Sequence, residues 1–218
     1  MRSLKILVVG ANGQIGKQVV HLLSETSDHT VTAMIRKEEQ VGYFTEKGIK
    51  TVLASLEDTV DDLQKAIGDA EAVIFTAGSG GSTGYDKTLL IDLDGAVKTI
   101  EAAEKSNVKR YIMVSALQAD NRENWNEKIK PYYVAKHYAD KALMNSELTY
   151  TIVRPGGLLN DAGTGKITVG KNLTRGTIPR EDVAKTIVAS ISEQATFNKS
   201  FDVISGETSI EEAIQTLA

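Results

Sequence analysis

Cysteine is absent from all 218 residues of the sequence, and this absence excludes several kinds of chemistry. A chain without cysteine forms no disulfide, binds no zinc through thiolates and offers no thiol nucleophile. Its three histidines, His21, His29 and His137, are scattered and cannot build a metal site by themselves. We therefore expect no metal centre and a protein that works in a reducing compartment, the cytoplasm.

Long apolar runs and clustered positive charge are also missing. The apolar run at residues 6–9 is too short for a signal peptide, and no later run approaches the roughly 20 apolar residues of a membrane span. Lys and Arg number 25 against 29 Asp and Glu, a formal net charge of −4, and no basic run follows a phosphate backbone. We expect a small-molecule substrate, with no membrane and no nucleic acid as partner, and leave open whether the protein is a monomer or a homodimer.

Proline is rare, and Pro131, Pro155 and Pro179 fall outside or at the first turn of predicted elements. Short β-branched runs alternate with longer helical patterns along the chain, which is typical of βαβ units. The sequence therefore predicts an α/β fold, a single domain over residues 1–218 built on a doubly wound parallel sheet of the Rossmann type. The predicted strands cover residues 4–9, 30–35, 50–53, 72–76, 110–115, 150–153 and 200–204.

Two segments stand out from this alternation. Leu89 and Leu93 belong to an apolar spacing of three and four residues, which predicts one long helix from residue 85 or 86 to about 106 with that face on the sheet. Residues 156–176 contain six glycines and predict an irregular or hairpin-bearing insertion. We expect residues 155–178 to form a small C-terminal lobe on the substrate side.

A glycine loop follows the first predicted strand. Gly10, Gly13 and Gly16 have GxxGxxG spacing and directly precede an amphipathic helix. Glycine lets the backbone turn tightly and approach a pyrophosphate, whose charge the first N–H groups and the dipole of the helix stabilise. We therefore predict a dinucleotide site here. The same spacing recurs in a loop after the fourth strand, residues 78–84, which either gives the backbone room beside the same cofactor or is a plain flexible loop.

The end of the second strand bears on which dinucleotide binds. An NAD site usually has an acid about 20 residues after the glycine loop, to bind the ribose 2′-hydroxyl. This chain has Arg36 there, followed by Lys37, and both would attract a 2′-phosphate. The sequence thus favours NADP(H) over NAD, although a solvated helix start explains the same two residues.

A Tyr followed four residues later by Lys occurs twice. The spacing places both side chains on one face of a helix, where the ammonium favours the phenolate form and eases proton transfer. Tyr43 and Lys47 lie near the adenine end of any cofactor, so we interpret them as structural. Tyr132 and Lys136 begin the helix after the fifth strand, which ends at Ser115, and strand ends are where open α/β sheets build their sites.

We predict that Ser115, Tyr132 and Lys136 are catalytic. A serine hydroxyl would orient a carbonyl, the tyrosine would give or take its proton, and the lysine would hold the nicotinamide ribose during hydride transfer. The alternative is an ordinary surface helix with a solvated lysine.

The ordered motifs VVGANGQIG, Arg36, FTAGSGG, IMVSA, YYVAK, YTIVRPGG and IPREDVA resemble those of the short-chain dehydrogenase/reductase superfamily. More narrowly, the chain is similar to its atypical NAD(P)H-binding branch, related to biliverdin reductase B, flavin reductase-like and NmrA-like proteins. The resemblance implies a doubly wound sheet, the same catalytic set and cofactor contacts from the following residues: Gly10, Asn12, Gly13, Gln14, Ile15, Gly16, Arg36, Lys37, Ser55, Leu56, Ala77, Gly78, Ser115, Lys136, Pro155, Gly156 and Leu158.

One position departs from the pattern of these relatives. They often carry an Asp in a D-L-x-D segment that meets the adenine amine, whereas this chain reads SLED with Ser55 in place of the first acid. Adenine recognition there is expected to be weaker or to pass to the backbone.

The predicted function is the NADPH-dependent reduction of a small carbonyl, quinone or flavin-like acceptor. The alternatives are a non-catalytic NADP(H)-binding redox sensor and a nucleotide-sugar epimerase or dehydratase, although such enzymes usually have a larger C-terminal substrate domain. Trp125 lies in the polar stretch 118–130, and we expect it either to form a substrate wall in a lid or to anchor a mobile loop.

Overall fold

A computed structural model describes residues 3–26, 28–81 and 83–218. Its eleven strands in that part of the chain form one large and one small sheet. All seven predicted strands are present, with ends shifted by at most two residues. The strands are β1 (Leu4–Val9), β2 (His29–Ile35), β3 (Lys50–Leu53), β4 (Ala72–Phe75), β5 (Arg110–Val114), β6 (Thr149–Pro155), β7 (Gly157–Leu159), β8 (Lys166–Gly170), β9 (Thr177–Pro179), β10 (Lys199–Ser205) and β11 (Thr208–Ser209).

The large sheet has the order β11-β8-β10-β6-β5-β4-β1-β2-β3. Seven neighbouring strands of this order, β10-β6-β5-β4-β1-β2-β3, run parallel, while β8 runs antiparallel to its neighbours β10 and β11. In the centre, Val8 pairs with Ala33 on one side and with Ile74 on the other. The chain thus progresses outward in both directions from β1, and the predicted doubly wound α/β fold is confirmed.

Helices cover both faces of the sheet because alternate residues of the central strands are apolar on both sides. Ile6 and Val8 pack with apolar residues of the helices on one face, whereas Leu7 and Val9 pack with those of the helices on the other face. Within the described residues no helix is long and apolar enough to span a membrane. The helices are α1 (Gln14–Glu25), α2 (Val41–Thr45), α3 (Val60–Ile67), α4 (Tyr85–Lys87), α5 (Ala96–Lys105), α6 (Lys130–Met144), α7 (Arg180–Ala189) and α8 (Ile210–Gln215).

The long helix predicted from residue 85 to 106 is interrupted by a π-helical segment, Thr88–Gly95, between α4 and α5. Its wider i→i+5 turns change which side chains face inward. Leu89 is 52% exposed, while Thr88 and Asp92 are buried. The prediction that Leu89 lies on the sheet-facing side is therefore wrong.

Residues 155–178 are only partly separate from the main sheet. β7 and β9 pair in parallel as a small second sheet, but β8 between them extends the large sheet beside β10. The segment therefore carries more regular structure than its glycine content predicts.

Candidate active site

A cleft runs along the carboxyl ends of the central strands, where the strand order reverses between β1 and β4. This is the position at which open α/β sheets bind ligands. The cleft consists of two adjoining cavities, a smaller one of about 360 Å³ and a larger one of about 930 Å³. Both are lined by Gly13, Thr76, Ala77, Gly78, Ser79 and Thr83.

The glycine loop brings main-chain atoms to the centre of this cleft. Gly10 has a φ of +77°, and a Cβ there would lie 2.6 Å from the backbone nitrogen of Ala77. A Cβ on Gly16 would overlap the carbonyl oxygen of Gly10. Gly13 donates its N–H to that same carbonyl at 2.9 Å and forms the N-cap of α1.

Two properties of this loop fit a dinucleotide. The glycines leave a cradle that any side chain would fill, and the first turn of α1 presents backbone N–H groups from a sequence, Gln-Ile-Gly-Lys, that carries no acid. Such a helix start stabilises a pyrophosphate. Gly10, Asn12 and Gly13 line the smaller cavity and Gln14 and Ile15 the larger one.

Of the two basic residues predicted to bind the 2′-phosphate, only one lines the smaller cavity. Arg36 lines it and donates its backbone N–H to Gln40 Oε1 at 3.2 Å. Lys37 lies outside the lining of both cavities, and its Nζ is 3.1 Å from Glu39 Oε1. Successive residues at a strand end point in opposite directions, so only Arg36 reaches the cavity.

Ser55 and Leu56 also line the smaller cavity. The N–H of Ser55 donates to Asp58 Oδ2 at 2.7 Å, and its hydroxyl accepts from the N–H of Glu57 at 3.1 Å. These groups are therefore engaged within their own turn, which leaves little polar capacity for adenine at this position.

The three predicted catalytic residues line the larger cavity together. Lys136 is 2% exposed and donates from Nζ to the carbonyl oxygen of Val114 at 2.8 Å, which fixes the ammonium at the end of β5. Tyr132 lies one turn earlier on α6 and is half-buried. The Ser115 hydroxyl is buried and has no hydrogen-bond partner among the described residues.

The protonation of this pair is set mainly by burial. Burial raises the pKa of Tyr132 well above the ordinary 10.0, and the negative charge of Asp92 adds to the effect. Burial lowers the pKa of Lys136, while Asp92 and Asp140 counteract that change. Tyr132 is therefore a neutral phenol that can donate a proton.

Asp92 is a site residue that the sequence did not predict. It lies in the π-helical segment, lines the larger cavity and is 1% exposed. Its Oδ2 accepts the N–H of Ser79 at 3.0 Å, which holds the loop after β4. The sequence does show an acid between apolar residues of the predicted helix. A regular helical period, however, does not direct the Asp92 side chain inward.

A second acid lies behind the catalytic residues. Asp140, one turn after Lys136, is 2% exposed, and its Oδ2 is 2.9 Å from Nε of Arg154. Nη1 of Arg154 is in turn 2.7 Å from Oδ2 of Asp120. Burial raises the pKa of Asp140, against lowering by Arg154, Ser115 and Lys136. The Ser115 hydroxyl is close enough to affect that pKa but does not reach hydrogen-bond geometry with the carboxyl.

Trp125 does not line either cavity. It is 8% exposed, donates from Nε1 to the carbonyl oxygen of Ala119 at 3.2 Å and stacks on Tyr133 with ring centroids 6.0 Å apart. This geometry favours the anchoring alternative over the substrate wall. His137 is buried beneath this loop, with Nδ1 2.9 Å from the same Ala119 oxygen.

The remaining predicted residues divide clearly. Pro155, Gly156 and Leu158 line the larger cavity, whereas Gly16 packs beneath the glycine loop. Lys47 lies over the Tyr43 ring at 5.1 Å from its centroid, away from both cavities. Two arginines that the sequence did not single out, Arg175 and Arg180, line the larger cavity.

The fold and the glycine loop define a dinucleotide-binding α/β protein. The sequence matches the NAD(P)H-binding family over residues 10–194, and the chain belongs to that family. The predicted pyridine nucleotide cofactor is thereby confirmed.

Several known proteins are similar over almost their whole length. A Bacillus subtilis (strain 168) protein named uncharacterized sugar epimerase YhfK is 58% identical over 214 residues, which cover 98% of this chain and 100% of that protein. A solved structure of a putative NAD-dependent epimerase/dehydratase from Bacillus halodurans superposes with a TM-score of 0.91 at 42% identity, covering 98% of this chain and 99% of the other. The oxidoreductase ylbE from Lactococcus lactis superposes with a TM-score of 0.89 at 35% identity, covering 98% and 96%.

Proposed function

We propose that the protein is an NADPH-dependent oxidoreductase that reduces a small carbonyl, quinone or flavin-like acceptor. The observation that carries this proposal is the common position of Ser115, Tyr132 and Lys136 on the cavity that adjoins the glycine loop. When bound, NADPH supplies a hydride to the acceptor. The residues of this chain bind and orient the two molecules and supply the proton.

The residues along the cleft would hold an extended dinucleotide. The loop Gly10–Gly16 would hold its pyrophosphate, Arg36 in the smaller cavity would hold the 2′-phosphate of the adenosine half, and Pro155 and Leu158 in the larger cavity would flank the nicotinamide half. Ala77 and Gly78 line both cavities.

The phenol of Tyr132 is the proton donor in this proposal. Ser115 Oγ donates a hydrogen bond to the acceptor oxygen, and Tyr132 transfers its hydroxyl proton to that oxygen as the carbon gains the hydride. The acceptor carbonyl becomes an alcohol, and solvent returns a proton to the Tyr132 oxygen. Lys136, held by the Val114 carbonyl, stabilises the transient phenolate with its positive charge.

Arg36→Ala tests the cofactor preference. We expect it to weaken NADPH binding by about 10- to 100-fold, since charge-assisted hydrogen bonds contribute about 1.5–3 kcal/mol, and to leave NADH binding nearly unchanged. Titration calorimetry with both nucleotides measures this difference. Arg122→Ala, on a loop outside both cavities, is the matched control, and equal losses for NADPH and NADH in Arg36→Ala would contradict a 2′-phosphate site.

Asp92→Asn tests the electrostatics of the proton donor. The amide oxygen can still accept the Ser79 N–H, but the charge that raises the pKa of Tyr132 and of Lys136 is removed. Both pKa values should fall. Because reduction needs a protonated phenol and a charged ammonium, activity should be lost at lower pH than in the wild type. A kcat profile from about pH 6 to 11 measures the basic limb, and an unchanged or higher limb would contradict this role of Asp92.

The reaction class is tested with a panel of aldehydes, quinones and flavins, following NADPH oxidation. Turnover of any of these acceptors supports the proposal. Tight NADPH binding without turnover would favour the redox sensor. Interconversion of nucleotide sugars without net NADPH oxidation would favour an epimerase, the activity named for the Bacillus subtilis relative.

A further inference from the structure

The larger cavity is positively charged although the protein carries a net negative charge. Its charged lining residues are Lys136, Arg175 and Arg180 against the single acid Asp92, in a chain of formal charge −4. Lys136 is already engaged at the end of β5. The two arginines, by contrast, have no ion-pair partner among residues 3–26, 28–81 and 83–218.

Arg175 is held at the larger cavity by contacts with neighbouring loops. Its Nη2 donates to the carbonyl oxygen of Asn124, while Asn124 donates to Gln118 Oε1 at 2.5 Å. The N–H of Leu173 in turn donates to Asp202 Oδ2 at 3.1 Å. The Leu173 contact fixes the backbone two residues before Arg175, and the Asn124 contact engages only one guanidinium nitrogen of Arg175. The outward edge of the guanidinium remains suited to bidentate binding of an anion.

The mouth of the same cavity is apolar. Tyr85, Ile129 and Leu158 line it and are 52%, 42% and 37% exposed. The Tyr85 hydroxyl donates to the carbonyl oxygen of Lys128 at 3.0 Å, which holds the ring as a wall across the opening. Exposed apolar side chains grouped at a cleft mark a binding surface for an apolar body.

From this arrangement we propose that the acceptor has an apolar, ring-like body that packs between Tyr85, Ile129 and Leu158 and an anionic substituent, a carboxylate or a phosphate, that Arg175 binds. The inference rests on the proposed reductase function and assigns its substrate class. Arg180 opens α7, and its Nη1 donates to Asn160 Oδ1 at 2.7 Å. It supplies a second positive charge to the same cavity.

The test uses acceptors that share a benzaldehyde ring and differ in the charge of the para substituent. The probes are 4-carboxybenzaldehyde, its uncharged methyl ester and 4-formylphenyl phosphate, each with NADPH. We expect wild-type kcat/KM to be higher for one or both anionic aldehydes than for the ester, and whichever is preferred identifies the anion. Arg175→Gln should lower kcat/KM for the preferred anion by about 10- to 100-fold and leave the ester and the Kd of NADPH unchanged.

Arg175→Lys retains the charge without the planar fork and should recover part of the loss. Arg122→Gln is the matched control, since this arginine lies outside both cavities and bonds Tyr138. A wild type without preference for an anionic aldehyde, or an Arg175→Gln loss that is equal for the ester, would overturn the inference while leaving the reductase function in place.

A binding measurement separates the inference from the reaction. Calorimetry in the presence of NADP measures the binding of 4-(hydroxymethyl)benzoate and of 4-(hydroxymethyl)phenyl phosphate, which are the alcohol counterparts of the anionic aldehydes. If the wild type binds either alcohol and Arg175→Gln does not, the anion site is supported even if no acceptor is reduced. In that case only the reductase proposal fails. If the wild type neither binds these alcohols nor reduces the anionic aldehydes, the anion site is rejected.

Discussion

Tyr132→Phe is expected to lower kcat for acceptor reduction by about 10²- to 10⁴-fold, the range that a positioned general acid contributes. The substitution removes only the hydroxyl, so the half-buried ring should keep its packing on α6 and NADPH should bind as before. Stopped-flow measurement of NADPH oxidation gives the chemical step, and calorimetry gives the cofactor affinity. Loss of turnover with unchanged affinity separates proton donation from a structural effect.

Tyr43→Phe is the matched control because it alters the other Tyr–Lys pair of the chain. Tyr43 contacts Lys17 and Lys47 outside both cavities, so its variant should retain full turnover. Tyr133→Phe tests the neighbouring phenol, which lines the cavity but stacks on Trp125. Wild-type turnover by Tyr132→Phe across the aldehyde and quinone panel would reject Tyr132 as the proton donor. Loss of turnover in Tyr133→Phe alone would instead identify Tyr133 as the proton donor.

Local patterns in the sequence were sufficient for the framework of the site. The strands are continuous apolar runs, and the glycine loop lies directly between a strand and a helix, so both are determined by neighbouring residues. Of the two Tyr–Lys pairs, the one chosen as catalytic, Tyr132 and Lys136, lines the larger cavity, and its catalytic role stays a prediction. That choice used the order of elements, because the carboxyl ends of parallel strands meet at one edge.

Packing determined what the sequence could not show. Asp92 faces inward only because the helix adopts π geometry there, and a regular helical period places Leu89 inward instead. Asp140 and Arg154 meet through contacts between α6 and β6, which no local spacing indicates. Arg175 was hidden for the same reason, because loops distant in the sequence hold it at the cavity.

The predicted Arg36 and Lys37 pair illustrates a limit of composition. Two adjacent basic residues look equivalent in the sequence, yet only Arg36 lines the smaller cavity. The pairing of Lys37 with Glu39 depends on the short 3₁₀ turn Glu38–Gln40 that follows β2. Side-chain direction at a strand end therefore separates residues that charge alone groups together.

Gly10→Ala is expected to weaken NADPH binding by about 100-fold or more. Its Cβ would lie 2.6 Å from the backbone nitrogen and 2.7 Å from the Cα of Ala77, so the strand end that carries Ala77 and Gly78 must move. Those two residues lie where the two cavities join, and the displacement narrows the cleft at the pyrophosphate. Overpacking of this kind lowers the free energy of unfolding by about 1–3 kcal/mol. A left-handed backbone at a residue with a side chain lowers it by about 1–2 kcal/mol more.

Gly48→Ala isolates the two effects. Gly48 has a φ of +70°, close to that of Gly10, but a Cβ there would meet nothing within 4 Å. It should therefore show the backbone penalty alone, a loss of about 1–2 kcal/mol in the free energy of unfolding with NADPH affinity unchanged. Urea unfolding and NADPH titration of both variants make the comparison. If Gly10→Ala bound NADPH as well as Gly48→Ala, close approach of the main chain at Gly10 would not be what the nucleotide requires.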